Sequence, residues 1–171
     1  GRVHFVATEQ LHPGLKRLLD VRRAIGLRNP AHALVKLMNP VDGRALVVSS
    51  YTHPEYAESM AATFRLMGTP AMLLRGTEGE PVADARRTPR MDVFLDGTAH
   101  AVQAAQTGSL CTLPPLPAAM DAVSTADHIR DVMEGLIPPP ESILLQVEHI
   151  VRACKAIEAE GDPTCLQELA A

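Results

Sequence analysis

Two short apolar runs, Ala45 to Val48 (ALVV) and Ala71 to Leu74 (AMLL), flank a segment of helical period, and this arrangement constrains the fold more than any other feature of the chain. Neither run alternates with polar residues, so each reads as a strand buried on both faces, as in parallel sheets covered by helices. Between them Ala57, Met60, Ala61, Phe64 and Met67 recur at helical spacing, with Pro54 where a helix can start and Gly68 where one stops. Strand, helix and strand in this order predict a β-α-β unit.

The remaining segments fit around that unit. Met91 to Leu95, the Asp96-Gly97 turn and Thr98 to Val102 predict a hairpin, which adds antiparallel strands. The expected fold is therefore α/β, with a mixed, mainly parallel sheet covered by helices. Upstream, Val3 to Ala7 (VHFVA) reads as a short strand; one helix is expected from near Pro13 to Gly26 and another from Pro30 through Leu37. After the Pro-rich link Leu113 to Pro117, Ser124 or Thr125 is expected to cap a helix. A last helix carries Ile143, Leu144, Val147, Ile150, Val151, Cys154 and Ile157 on one face, which predicts a core position for Cys154. Glu158 to Ala171 reads as a loop with a short or frayed helix. The polar segment Gly76 to Arg90 (GTEGEPVADARRTPR) lies beyond the carboxyl end of a strand, where ligands of open sheets gather. With few apolar anchors, it is expected to be the most mobile internal segment.

Composition excludes several classes of function. No apolar run approaches the roughly 20 residues that a membrane-spanning helix needs. Three widely spaced cysteines, Cys111, Cys154 and Cys165, contain no C-x-x-C pair, so neither a disulfide framework nor a zinc site is indicated and a reducing, cytoplasmic setting is expected. Aromatic residues make up only 3% of the chain and Trp is missing, which argues against an extended surface of stacked aromatic rings.

The net charge of -4 conceals a gradient. Residues 1–100 carry 13 Lys and Arg against 10 Asp and Glu, whereas residues 101–171 carry 3 against 10. Seven basic residues (Arg2, Lys16, Arg17, Arg22, Arg23, Arg28, Lys36) face two acidic ones (Glu9, Asp20) within residues 2–36, and Arg75, Arg86, Arg87 and Arg90 follow further on. The bias toward Arg matters because its planar fork matches phosphate geometry better than the point charge of Lys. Phosphate binding by Lys16, Arg17, Arg22, Arg23, Arg28, Lys36, Arg75, Arg86, Arg87 and Arg90 is the reading that follows, against an ordinary solvated helix face. His12, His32 and His53 stand beside prolines or a helix start, where local capping is expected rather than catalysis. No catalytic residue and no metal ligand is assigned.

The series His12-Pro13-Gly14-Leu15-Lys16, Val21-Arg22-Arg23-Ala24-Ile25-Gly26-Leu27-Arg28 and Leu37-Met38-Asn39-Pro40 resembles the carboxyl-terminal part of anthranilate phosphoribosyltransferases (glycosyltransferase family 3). The likeness continues through Tyr51-Thr52-His53-Pro54-Glu55 and Leu74-Arg75-Gly76 into the closing helices. Ala31 to Leu37, Ser50 to Tyr56 and Leu74 to Pro81 are closer still to the YbiB branch, which shares the transferase fold and is associated with nucleic-acid binding.

The resemblance implies a nucleoside phosphorylase or phosphoribosyltransferase-like carboxyl-terminal domain, of which residues 1–171 are the larger part. The amino-terminal helical domain and the glycine-rich phosphate loop would precede residue 1, and the full-length protein would be a homodimer. The family's magnesium-binding Asp-Glu pair falls on Pro81 and Val82 here, which cannot coordinate a metal. The expectation is thus a nucleic-acid-binding protein, DNA or RNA, without cofactor. The alternative is a phosphoribosyl or pentosyl transferase acting on an aromatic acid or base, with Arg22 as the substrate-carboxylate clamp and magnesium as its metal.

Overall fold

A computed structural model describes residues 3–110, 112–117 and 119–159. In chain order the elements are α1 (Thr8–Leu11), α2 (Pro13–Ile25), α3 (Ala31–Leu34) continued by a 3-10 turn (Val35–Leu37), β1 (Val47–Tyr51), α4 (Pro54–Met67), β2 (Ala71–Arg75), β3 (Met91–Leu95), β4 (Thr98–Gln103), α5 (Ala122–Met133) and α6 (Glu141–Glu158). Among these residues no helix is long and apolar enough to cross a membrane.

The expected β-α-β unit is present. β1 and β2 pair in parallel with Val47 opposite Ala71 and Tyr51 opposite Arg75, and α4 connects them. The sheet order is β1-β2-β3-β4, with β2-β3 and β3-β4 antiparallel. The sheet is mixed as expected, but its parallel part is one pair of three. The reason is the connection after β2, which returns without a crossover helix, followed by a two-residue turn at Asp96 and Gly97 with φ of 48° and 75°.

β2 is apolar from Ala71 to Leu74 because both its faces are covered there. Met72 and Leu74 join Met91, Val93 and Leu95 in a core beneath Ala153 and Ala156 of α6. Ala71 and Leu73 point the other way, onto Met60 and Phe64 of α4 and Phe94 of β3. The period of two along the strand thus divides one apolar run between two cores.

Four local expectations are corrected. Val3 to Ala7 is not a strand among the described residues; Val3 and Phe5 are exposed and no neighbouring strand offers backbone partners. β1 begins two residues later than the ALVV run and includes Ser49 and Ser50, whose buried hydroxyls donate to Lys36 O (2.9 Å) and Gly79 O (2.9 Å). α5 is capped by Asp121, whose carboxylate accepts from Val123 N and Ser124 N, both at 2.9 Å, in place of Ser124 or Thr125. In α6 the buried positions are Ser142, Gln146, His149, Ala153 and Ala156, while Leu144, Val147, Val151 and Cys154 are exposed. The expectation for Glu158 to Ala171 lies, after Ala159, outside the described residues.

Phe64 is 1% exposed and its ring lies 5.5 Å from that of Phe94. Phe64→Ala should lower the unfolding free energy by about 3–5 kcal/mol in denaturant titration. A loss below about 1 kcal/mol would show that α4 is not seated on the sheet as described.

Candidate functional site

At the carboxyl end of β1 the chain leaves the sheet between two helical segments and opens a cavity of about 180 Å³. Its walls come from the segment after α2 (Arg28, Asn29, His32), from the exit of β1 (Ser50, Tyr51, Thr52) and from the first turn of α4 (His53, Tyr56). No carboxylate lines it. The amino terminus of α4, whose His53 makes no side-chain cap, adds the positive end of a helix dipole.

Each wall is held by local hydrogen bonding. Asn29 Nδ2 donates to Leu18 O (2.6 Å) and its Oδ1 accepts from Ala31 N (3.0 Å), which fixes the turn between α2 and α3. His32 Nδ1 lies within 3.3 Å of Asn29 N and 3.2 Å of Asn29 O, so its Nε2 has no partner among the described residues. His53 Nδ1 is 2.9 Å from Thr52 Oγ1, and its ring meets that of Tyr56 edge to face at 6.1 Å between centroids. His12 Nδ1 accepts from Leu15 N (3.0 Å) and caps α2. All three histidines therefore serve locally, as their neighbouring prolines suggested.

The floor of the cavity is set by Lys36. Its ammonium donates to Ser50 O (3.0 Å), Ser50 Oγ (3.3 Å) and Gly79 O (3.0 Å). Burial, reinforced by the charge of Arg28 and opposed by Glu80, pushes the pKa of Lys36 below its ordinary value. With its donors engaged, Lys36 acts as a strut. Gly76 lies against the same junction: a Cβ there would meet Glu80 O at 2.6 Å and the Ser50 side chain at 3.2 Å.

The segment after β2 has few apolar anchors, as expected, and is held by polar ones. The Glu80 carboxylate accepts from Thr77 N (2.8 Å), Thr77 Oγ1 (2.9 Å) and Glu78 N (2.7 Å). Partial burial alone would raise the pKa of Glu80, yet these bonds lower it from 4.5 to about 2. Further along, Gln146 accepts from Ala83 N (2.7 Å) and donates to Pro81 O (2.9 Å), and Ser142 Oγ donates to Asp84 O (2.7 Å). Polar side chains of α6 do the anchoring that apolar residues of the loop do not.

The ten basic residues singled out from the sequence fall in separate places. Lys16, Arg17, Arg22 and Arg23 lie on α2, and Arg28 and Lys36 line the cavity. Arg75 is exposed at the end of β2. Arg86 and Arg87 line a second cavity beside Thr88 and Gln106, and Arg90 lines a third beside Arg65. Several are already paired: Lys16 with Asp20, Arg86 with both oxygens of Asp84 (3.0 Å each) and Arg90 with Asp92 (2.8 Å). Arg87 donates to Gly108 O (2.9 Å), and Arg23 reaches Asp20 only at 3.8 Å. Arg17, Arg22, Arg28 and Arg75 form no ion pair among the described residues.

Neither Pro81 nor Val82 offers a side-chain oxygen, Glu80 is held by its own loop and Asp84 by Arg86. Among the described residues no group of three or more His, Cys, Asp or Glu is placed to hold a metal. The residues present do not fit the magnesium pair of the resembling enzymes. Sequence reasoning passed over Tyr51, Tyr56, His32 and His53 as a group; the signal available was the Tyr51-Thr52-His53-Pro54 run at a strand-to-helix junction.

No family model matches the chain. Over 136 residues it is 37% identical to the uncharacterized protein YbiB of Escherichia coli strain K12, an alignment covering 79% of this chain and 42% of YbiB. The chain is a homologue of YbiB and, more distantly, of the anthranilate phosphoribosyltransferases. It is 27% identical to the anthranilate phosphoribosyltransferase of Salinispora arenicola over 95% of this chain and 46% of that enzyme. The identity to the corresponding enzyme of Synechococcus is also 27%, over 80% of the chain and 40% of the enzyme. The chain thus spans less than half the length of these relatives, and its α/β sheet is that of a phosphoribosyltransferase-like fold.

Two outcomes test the bracing of the cavity. Lys36→Met should speed amide exchange over residues 76–80 while leaving the helices protected, because the ammonium that ties Gly79 O to Ser50 O is removed. Glu80→Gln tests the carboxylate turn. A carboxylate with a lowered native pKa contributes stability that is present above pH 4.5 and lost as pH falls toward about 2. In an acid titration the variant should have a flatter stability curve across that window; an identical curve would refute the assignment.

Proposed function

We propose that the protein binds nucleic acid by contacting phosphates through the exposed arginines of α2 and the segment that follows it. The observation that carries this reading is that Arg17, Arg22 and Arg28 are exposed, on or just after one helix, with no ion pair among the described residues. A chain of net charge -4 that leaves cations unneutralised on one element concentrates positive potential there. Arg23 adds to it, being 84% exposed and held only loosely by Asp20. Arg75, Arg86, Arg87, Arg90 and Lys16 are secondary, since most are occupied within the fold. Phosphate contacts of this kind fix position without reading sequence, so base specificity is weak. As a homodimer the full-length protein would present two such surfaces.

The transferase alternative draws on the names of the distant relatives. It has less support from the site, where Arg22, the carboxylate clamp of that reading, does not line the cavity and the metal pair has no counterpart.

The test is nucleic-acid binding across salt. In the intact chain, replacing Arg22 and Arg23 by Ala should make the slope of log K against log salt shallower by about 0.9 for each duplex phosphate that the variant no longer neutralises. Affinity should fall about equally for unrelated sequences. An unchanged slope and affinity in a folded double variant would overturn the proposal and leave α2 as a solvated face.

A further inference from the structure

We infer that the cavity at the carboxyl end of β1 receives one unstacked nucleobase of a single strand whose phosphates are held by the arginines beside it. This inference rests on the phosphate-binding reading and adds to it a preference for unpaired nucleic acid. In a chain that is 3% aromatic, with two tyrosines and no Trp, Tyr56 lines this cavity and Tyr51 borders both it and the cavity that holds Arg90. His32 and His53 line it as well. Composition excludes an extended stacking platform, but one base needs only one or two rings.

Size and chemistry agree with such a ligand. A cavity of about 150 Å³ takes up a single benzene ring, and about 180 Å³ suits one flat heterocycle. Tyr56 is 45% exposed on the first turn of α4 and meets His53 edge to face, so part of its ring is available at the mouth. The Nε2 of His32 and the hydroxyl of Tyr56 have no hydrogen-bond partner among the described residues and can meet the edge of a base. Arg28 belongs both to the exposed basic group and to the cavity wall, and so joins a backbone phosphate to the base attached to it. No carboxylate stands in the lining.

A duplex carries the denser charge, so phosphate contacts alone favour it or are indifferent. Its bases enter such a cavity only by leaving the stack, at a cost of a few kcal/mol. Preference for the single strand is therefore the signature of a base site. The experiment compares three probes of equal length on the intact chain: a single-stranded oligonucleotide, its duplex, and the same strand made abasic. The single strand should bind about five- to a hundredfold more tightly than the other two, the range expected for stacking one base. Tyr56→Ala should remove that advantage and leave the salt slope unchanged. Equal binding of all three probes, with a steep salt slope, would overturn the base site while the phosphate reading stands. Failure to bind any probe would overturn both. The abasic strand tests the wild-type protein directly, so the result does not depend on how the variant folds.

Discussion

One ammonium group joins three segments of the chain at the floor of the cavity. Lys36 reaches from the 3-10 turn to Ser50 at the end of β1 and to Gly79 in the segment after β2. Taking a lysine head out of water is unfavourable unless its hydrogen-bonding capacity is met, and here each N–H has an acceptor. The junction tolerates no additional volume, since Gly76 is already against Glu80 O and the Ser50 side chain. With Lys36 committed inward, the cation presented to a ligand is Arg28. The same interaction therefore fixes the floor of the site and determines which charge is available above it.

A comparable exchange of roles occurs on α6. Its apolar residues are numerous enough to suggest an inward stripe, yet Ser142, Gln146 and His149 are the polar residues that face the protein. The segment of residues 81–84 supplies the explanation. It crosses beneath α6 in irregular conformation, and the backbone groups at Pro81, Ala83 and Asp84 need partners that no strand supplies. Gln146, with both a donor and an acceptor, satisfies two of them. His149 contributes no such anchoring: its Nδ1 is buried without a partner among the described residues, and burial chiefly, with the charge of Arg152, lowers its pKa against the opposing effect of Glu148. The exposed apolar residues Leu144, Val147 and Val151 follow from this orientation.

These cases mark where the sequence could be read and where it could not. Helices with proline at the start and glycine at the end, α2 and α4, were legible because both signals act within a few residues. So was the β3-β4 hairpin, whose Asp-Gly turn dictates its geometry locally. The extended segment Val3 to Ala7 has strand composition but no adjacent strand, and strands exist only by pairing. β1 was displaced because two serines look like a strand end until their hydroxyl partners, 13 and 29 residues away, are known. The candidate site was half visible. Basic residues are seen by counting, but whether each is neutralised depends on neighbours such as Asp84 and Asp92, two positions away and equally able to point elsewhere. The convergence of Tyr51, Tyr56, His32 and His53 depends on tertiary folding, which no local pattern encodes.

The departures from the transferase pattern act in one direction. Pro81 and Val82 remove two carboxylates from the segment after β2, and Glu80 turns its own carboxylate onto the N–H groups of Thr77 and Glu78. A metal-dependent site needs exposed acidic oxygens to hold a cation between protein and substrate phosphates. This end of the sheet instead keeps its nearest carboxylate inside the loop and borders the cavity with Arg28 and the positive end of α4. On the proposed phosphate-binding reading, attraction would come from the protein's own charges rather than from a bridging ion. On that reading Pro81, Val82 and the exposed arginines of α2 form one consistent shift in chemistry.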